Sequence, residues 1–257
     1  MAEVADARAV WRRARPLLGT LVEIGADPSC DASAIDTGFA AIEGVEALMS
    51  RYRAGSDIVR LNGAPAGTWI GVAAPTRRVL DLALRLHHLS DGLFECAIEG
   101  TLSDLLIGHD GSVWKQRPLA IDLGGIAKGE AVDRAVLALR LAGVRRGWVN
   151  AGGDLRVFGS GEHRIELRDP NRPAQRAGAA FIRAAALASS SACYSDHAGQ
   201  SAIVDPRSRQ PLRMRHGVTV LAARCVIADA LTKVVALSAD VHHPLLARFG
   251  ARAWVIH

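Results

Sequence analysis

The sequence predicts an α+β fold, mostly antiparallel sheets with helices packed on them. Three observations carry that expectation. Segments with apolar residues at helical spacing mix with short apolar strands, but without the strict βαβ rhythm of a parallel sheet. The strands of the middle third are separated by glycine turns, which suits antiparallel neighbours. A length of 257 residues at 49% hydrophobic content is enough for a well-filled core in one large domain or two closely joined lobes. No internal repeat, low-complexity tract or Pro/Ser-rich linker marks a boundary.

In chain order, "LLGTLVEIGA" (17–26) reads as an early strand, its apolar residues close to alternation. "DTGFAAIEGVEALMSRYR" (36–53) follows as a helix, and "PTRRVLDLALRLHHLSDG" (75–92) as a second, ending in the helix-stop pair Asp91-Gly92. "LAIDLGG" (119–125) reads as a strand closing in glycines. It leads into a helix over "IAKGEAVDRAVLALRLAG" (126–143), stopped by Gly143. Strands are expected in "GWVNAGGDLRVFGSG", "HRIELRDP", "AAFIRAAALASS" and "QSAIVDPRSRQPL". "VTVLAARCVIADALTKVVALSAD" (218–240) reads as a strand into a helix with Asp229 at the helix start, and "ARAWVIH" as a terminal strand.

Composition removes several function classes. The four cysteines, Cys30, Cys96, Cys193 and Cys225, form no C-x-x-C pair, so free thiols are expected rather than a zinc knuckle or a disulfide framework. The net charge is +5, but the arginines are scattered, so a solvated basic surface is expected and not a nucleic-acid site. His87-His88 and His242-His243 are adjacent pairs, which cannot put both rings on one helical face as metal ligands. The start has no apolar run of signal-peptide length and the chain no run long enough to span a bilayer, so a soluble, cytoplasmic protein is expected.

The densest motif is "IDLGGIAKGEAVDRA" (121–135). Glycines without Cβ let backbone approach a ligand, while helix-start N–H groups and the Lys128 ammonium favour a phosphate. It is neither a Walker A loop nor a dinucleotide G-x-G-x-x-G turn. A structural turn explains the glycines about as well. "VNAGGDLRV" (149–157) repeats the strand, Gly-Gly and acid arrangement, so the two turns could wall one cleft. In "IADALTKVV" (227–235), Asp229 and Thr232 carry oxygens on one helical face, suited to a hard cation such as Mg²⁺; a plain N-cap is the alternative role for Asp229. Lys128 and Lys233 stand out because only three of the 31 basic residues are lysines.

Taken in order, "LLGT", "MSRYRAGSDIVRLN", "DGLFE", "DLGGIAKGEAVD", "VNAGGDLRV", "IVDPRSRQPL" and "VTVLAARCVIADAL" resemble the ApbE family, the FAD:protein FMN transferases. The resemblance runs from about Arg15 to the C-terminus, which makes residues 1–14 an N-terminal extension and 15–257 the transferase domain. It implies a T-fold-related architecture and a transferase that takes FAD as substrate. The enzyme would use Mg²⁺ and move FMN onto a Thr or Ser hydroxyl of an unidentified acceptor protein, releasing AMP. By position it implies FAD contacts at Leu18, Tyr52, Phe94, Glu95, Asp122, Lys128 and Ile203. It further implies a metal site from the Gly125 carbonyl and Asp229. A non-catalytic FAD-binding protein and an FAD pyrophosphatase are the alternatives.

The chain departs from the family pattern in three places. Lys233 stands where the family has a metal-binding threonine, so either Thr232 takes over as ligand or the lysine supplies the positive charge itself. Ser201-Ala202 replace a His-His pair, which leaves His197 as the nearest candidate proton acceptor. Glu95 replaces an aspartate, and "SSSACYSD" lacks a family glycine.

Overall fold

The structure is a computed structural model that describes residues 2–4, 11–172, 174–191, 203–214 and 216–256. Its first elements are β1 (Ala2–Val4) and the hairpin β2 (Trp11–Leu17) and β3 (Thr20–Ala26). Leu18 and Gly19, at φ 57° and 69°, turn the chain between them, so "LLGTLVEIGA" is a turn plus one strand rather than one continuous strand. β2 escapes a pattern search because it lies at the sheet edge, where most of its residues, Arg12 and Arg13 among them, face solvent and no alternation is required.

Two helices follow, α1 (Ala34–Met49) and α2 (Asp57–Gly63), then β4 (Trp69–Ile70) and α3 (Ala74–Leu89). The short strands β5 (Ala97–Glu99), β6 (Leu105–Ile107), β7 (Val113–Lys115) and β8 (Ala120–Ile121) form two small sheets with β4. Only two residues of "LAIDLGG" are strand; a 3₁₀ turn at Leu123–Gly125 leads into α4 (Ala127–Leu141). Next come β9 (Gly147–Ala151), β10 (Asp154–Phe158), β11 (His163–Arg168), β12 (Arg176–Ile182) and β13 (Ala186–Ser191). The chain ends with the pair β14 (Val204–Asp205) and β15 (Gln210–Pro211), then β16 (Gly217–Ala222), α5 (Cys225–Ser238), α6 (Pro244–Arg248) and β17 (Arg252–Ile256).

The main sheet has the order β17-β16-β13-β10-β9-β3-β2 and is antiparallel throughout, as expected. One face carries α1, α4 and α5 over a large apolar core that includes Ile24, Phe39, Val132, Val149 and Leu231. On the other face β1, β11 and β12 form a second sheet around Trp148, Leu155, Val157 and Ile165. Parts of the stretch before Arg15 are thus strand: Ala2–Val4 pairs with β11, and 11–14 lie in β2.

Period-2 alternation on β10 explains how one strand serves both layers. Leu155 and Val157 point to the small sheet, while Asp154 and Arg156 point to α4 and pair with Lys128 and Asp133.

The start of α5 corrects the sequence expectation. Asp229 is not its N-cap: the helix begins at Cys225, and Arg224 at the cap position offers no side-chain bond. The orphan N–H groups of Cys225 and Val226 donate instead to Asp133 of α4, at 3.0 and 3.1 Å. The start of α4 has the mirror arrangement. Ile126 cannot cap, and the Gly129 N–H donates to Oδ2 of Asp229 on α5 at 3.0 Å. Each helix therefore caps the other with a carboxylate placed at the positive end of its dipole. Loss of one such carboxylate, Asp133→Ala, is expected to cost about 3 kcal/mol, measured as a lowered denaturation midpoint.

The described cysteines Cys30, Cys96 and Cys225 are free thiols, as expected. Burial pushes the Cys96 and Cys225 thiols well up, so neither is a reactive nucleophile at neutral pH. Cys193 lies outside the described residues.

Candidate active site

The reciprocal caps bring the starts of α4 and α5 together, and the chemistry gathers there. Gly129 permits the approach: a Cβ at that position would lie 2.5 Å from the Cys225 carbonyl oxygen and 2.7 Å from Val226 Cα. One residue earlier, the Lys128 ammonium makes a close ion pair with Asp154, the acid of the second glycine motif. Gly152 and Gly153, at φ 64° and 101°, form the tight turn that puts Asp154 at the start of β10. The two glycine motifs therefore do meet. Asp154 is the residue that sequence reasoning left out of its site, although the repeated Gly-Gly-acid pattern signalled it.

Asp229 is fully buried. Its Oδ1 is paired with the Lys233 ammonium one turn on, and its backbone oxygen accepts from Lys233 Nζ at 3.0 Å. That same carbonyl accepts from the Thr232 hydroxyl at 2.7 Å, and Thr232 Oγ1 also lies 2.7 Å from Ser190 Oγ of β13. The result is a cluster of two ammoniums, Lys128 and Lys233, against two carboxylates, Asp154 and Asp229. Burial works against charge on Lys128, but Asp154 and then Asp229 outweigh it and hold the ammonium well above its ordinary pKa.

Gly125 closes the cluster on the side of the 3₁₀ turn. A Cβ there would lie 3.5 Å from Lys233 Cε, so the lysine stem runs through the space between the glycine turn and Asp229. Gly125 and Thr232 thus each lie beside the Asp229–Lys233 pair, and the oxygens of Asp229 already serve Lys233, Gly129 and Thr232. Two unit charges about 4 Å apart repel by about 4 kcal/mol at an effective dielectric of ~20, and a dication doubles this. With Lys233 in this position the donor set does not fit Mg²⁺. Among the described residues there is no group of three or more His, Cys, Asp or Glu that could hold a metal.

The other expected contacts divide into two groups. Asp122 lies at the 3₁₀ turn, where Oδ1 accepts from the Gly124 N–H at 2.8 Å and Oδ2 pairs with Arg51 Nε at 3.0 Å. Arg51 also stacks over the Tyr52 ring, 4.5 Å from its centroid, so it ties Tyr52 to the glycine turn. Tyr52 is 80% exposed, so apart from the Arg51 guanidinium its ring is uncovered and has no core role. Leu18 lies at the β2–β3 turn, its N–H donating to Glu46 at 3.0 Å.

Phe94 and Ile203 are buried. Glu95 is engaged within the protein, accepting from the Ala97 N–H and the Thr101 hydroxyl at 2.9 Å each and from the Leu102 N–H at 3.2 Å. His87 is likewise structural, its ring nitrogens 3.1 Å from the Phe94 carbonyl and 3.0 Å from Ser103 Oγ. His197 and Ser201-Ala202 lie outside the described residues. A cavity of about 760 Å³ lies between α3 and α4, lined by Arg77, Arg85, Arg140 and the Glu130/Asp133 face of α4; the Lys128–Asp154 pair takes no part in it.

Residues 18–112 and 101–249 match the ApbE family. The chain belongs to the ApbE family. A protein of Rhodobacter capsulatus named FAD:protein FMN transferase is 34% identical over 142 residues; the match takes in 52% of this chain and 27% of that longer protein. One of the same name from Klebsiella pneumoniae is 27% identical over 77% of this chain and 73% of its own length. The crystal structure of the ApbE protein from Thermotoga maritima superimposes with a TM-score of 0.86, covering 96% of this chain and 94% of that one, at 23% identity. That likeness shows a shared α+β fold. Among the described residues of this ApbE family member, no helix is long and apolar enough to cross a membrane.

Proposed function

We propose that this chain is a FAD:protein FMN transferase. It takes FAD as substrate, and an acceptor protein supplies a Thr or Ser hydroxyl. The hydroxyl oxygen bonds to the phosphorus on the FMN side, and the P–O bond to the AMP phosphate breaks. AMP leaves with the bonding pair, and the hydroxyl proton is released.

The observation that carries this reading is the meeting of the two glycine motifs at the Lys128–Asp154 pair, beside a second lysine. A pyrophosphate needs fixed positive charge at bond-making distance, held by a frame that need not reorganise during reaction. Asp154 holds the Lys128 ammonium in place, and its burial keeps competing water away from that side. Tyr52, with its exposed ring anchored by Arg51, would stack on a planar group such as the isoalloxazine, and Asp122 would line the approach. Support also comes from the name that the R. capsulatus and K. pneumoniae relatives share.

The test is incubation of the purified protein with FAD and a Thr-containing acceptor peptide, following AMP by chromatography and covalent FMN by mass. AMP together with an FMN mass shift on the peptide is expected. Lys128→Ala is expected to lower the rate about 100-fold. AMP without a mass shift would instead mean an FAD pyrophosphatase, and FAD bound but intact would mean a flavin carrier.

A further inference from the structure

We propose that in this chain the Lys233 ammonium replaces a divalent cation, so that the site holds a pyrophosphate with lysine charge alone. This rests on the flavin reading above and deepens it. The first ground is position. Lys233 Nζ bonds two oxygens of Asp229, one on the backbone at 3.0 Å and one on the carboxylate, and its stem runs where a Cβ on Gly125 would meet it at 3.5 Å. It thus fills the space between the glycine turn and the acid, where a metal held by both would lie.

The second ground is the donors that remain. The other Asp229 carboxylate oxygen takes the Gly129 N–H at 3.0 Å, and the Thr232 hydroxyl gives its proton to the Asp229 carbonyl while touching Ser190. An oxygen cage for a hard cation needs several acceptor oxygens converging on one point, whereas here two oxygens of Asp229 converge on an ammonium and the third is taken by a backbone N–H.

The third ground is the choice of residue. A chain with three lysines among 31 basic residues spends two of them here. An ammonium is a compact point charge with three donors, whereas a guanidinium is a planar fork. Lys233 uses its contacts to Asp229 as an anchor, and its side chain remains 17% exposed, so it can aim a further N–H at a phosphate oxygen. Lys128 and Lys233 would then flank the pyrophosphate from α4 and α5.

Two measurements on the wild-type protein test this directly: FAD affinity by fluorescence titration with EDTA or with added Mg²⁺, and Mn²⁺ binding by electron paramagnetic resonance. Equal FAD affinity in both buffers and no tightly bound Mn²⁺ are expected. Lys233→Thr, which restores an oxygen donor, is expected to bind FAD about ten-fold more weakly in EDTA and to recover with Mg²⁺. If that variant does not fold, the wild-type measurements decide. A fall of about ten-fold in wild-type FAD affinity on adding EDTA, or stoichiometric Mn²⁺ on the wild type, would overturn the inference and leave the flavin reading intact. No FAD binding in either buffer would overturn both.

Discussion

Asp229→Ala is expected to destabilise the protein by about 3–5 kcal/mol, out of the 5–15 kcal/mol typical of a folded domain. The carboxylate is fully buried, so no solvent replaces it when it is removed. Two groups lose their partner at once: the Lys233 ammonium, left partly buried beside Lys128, and the Gly129 N–H at the start of α4. The unpaired ammonium is the larger cost, because a buried charge without a counter-ion is worse than no charge at all. Asp229→Asn keeps the shape and an acceptor for Gly129, so it should recover part of the loss. Adding Lys233→Met to Asp229→Ala should recover more, because it removes the stranded charge. Urea denaturation of the three variants checks this ranking. If Asp229→Ala alone unfolds at the wild-type midpoint, the buried pair contributes nothing to stability.

Gly129→Val is the second large effect, expected to cost about 3 kcal/mol or more and to abolish FAD binding. Here the argument is steric. A Cβ would lie 2.5 Å from the Cys225 carbonyl oxygen and 2.7 Å from Val226 Cα, both backbone atoms of α5 that cannot swing aside as a side-chain tip can. The helices must separate, and separation breaks the Gly129–Asp229 bond and both Asp133 caps together. By contrast Gly63→Ala, where an added Cβ meets nothing within 4 Å, should be nearly silent. Thermal melts of the two variants, with FAD fluorescence as the second readout, separate the cases.

Much of this was legible in the sequence, for reasons that can be named. The helices α1, α3 and α4 have one buried face each, so their apolar spacing and the Asp91-Gly92 and Gly143 stops marked them. The glycine motifs pointed to one cleft because a Gly-Gly turn after a strand is a backbone feature that spacing reveals. Edge strand β2 was hidden because exposure frees it from any pattern.

The start of α5 was misplaced for a different reason. A sequence reading looks for the cap among neighbouring residues, and here it comes from Asp133, 92 positions from Cys225 along the chain. Asp154 was passed over because its partner, Lys128, lies 26 positions away and only the β9–β10 turn brings them together. Lys233 was visible as an odd residue at its position, but its consequence depended on the direction of the side chain, which spacing does not give.

The exchange of carboxylates between α4 and α5 has a consequence for how the site comes into being. Asp229 fastens the start of α4, and Asp133 fastens the start of α5, so neither helix can fray without loosening the other. Lys128 rides on the first turn of α4, and Lys233, about two turns into α5, is held by Asp229 itself. The positive centre is therefore assembled or lost in one step, and every molecule that has folded this crossing already carries its two lysines in working position.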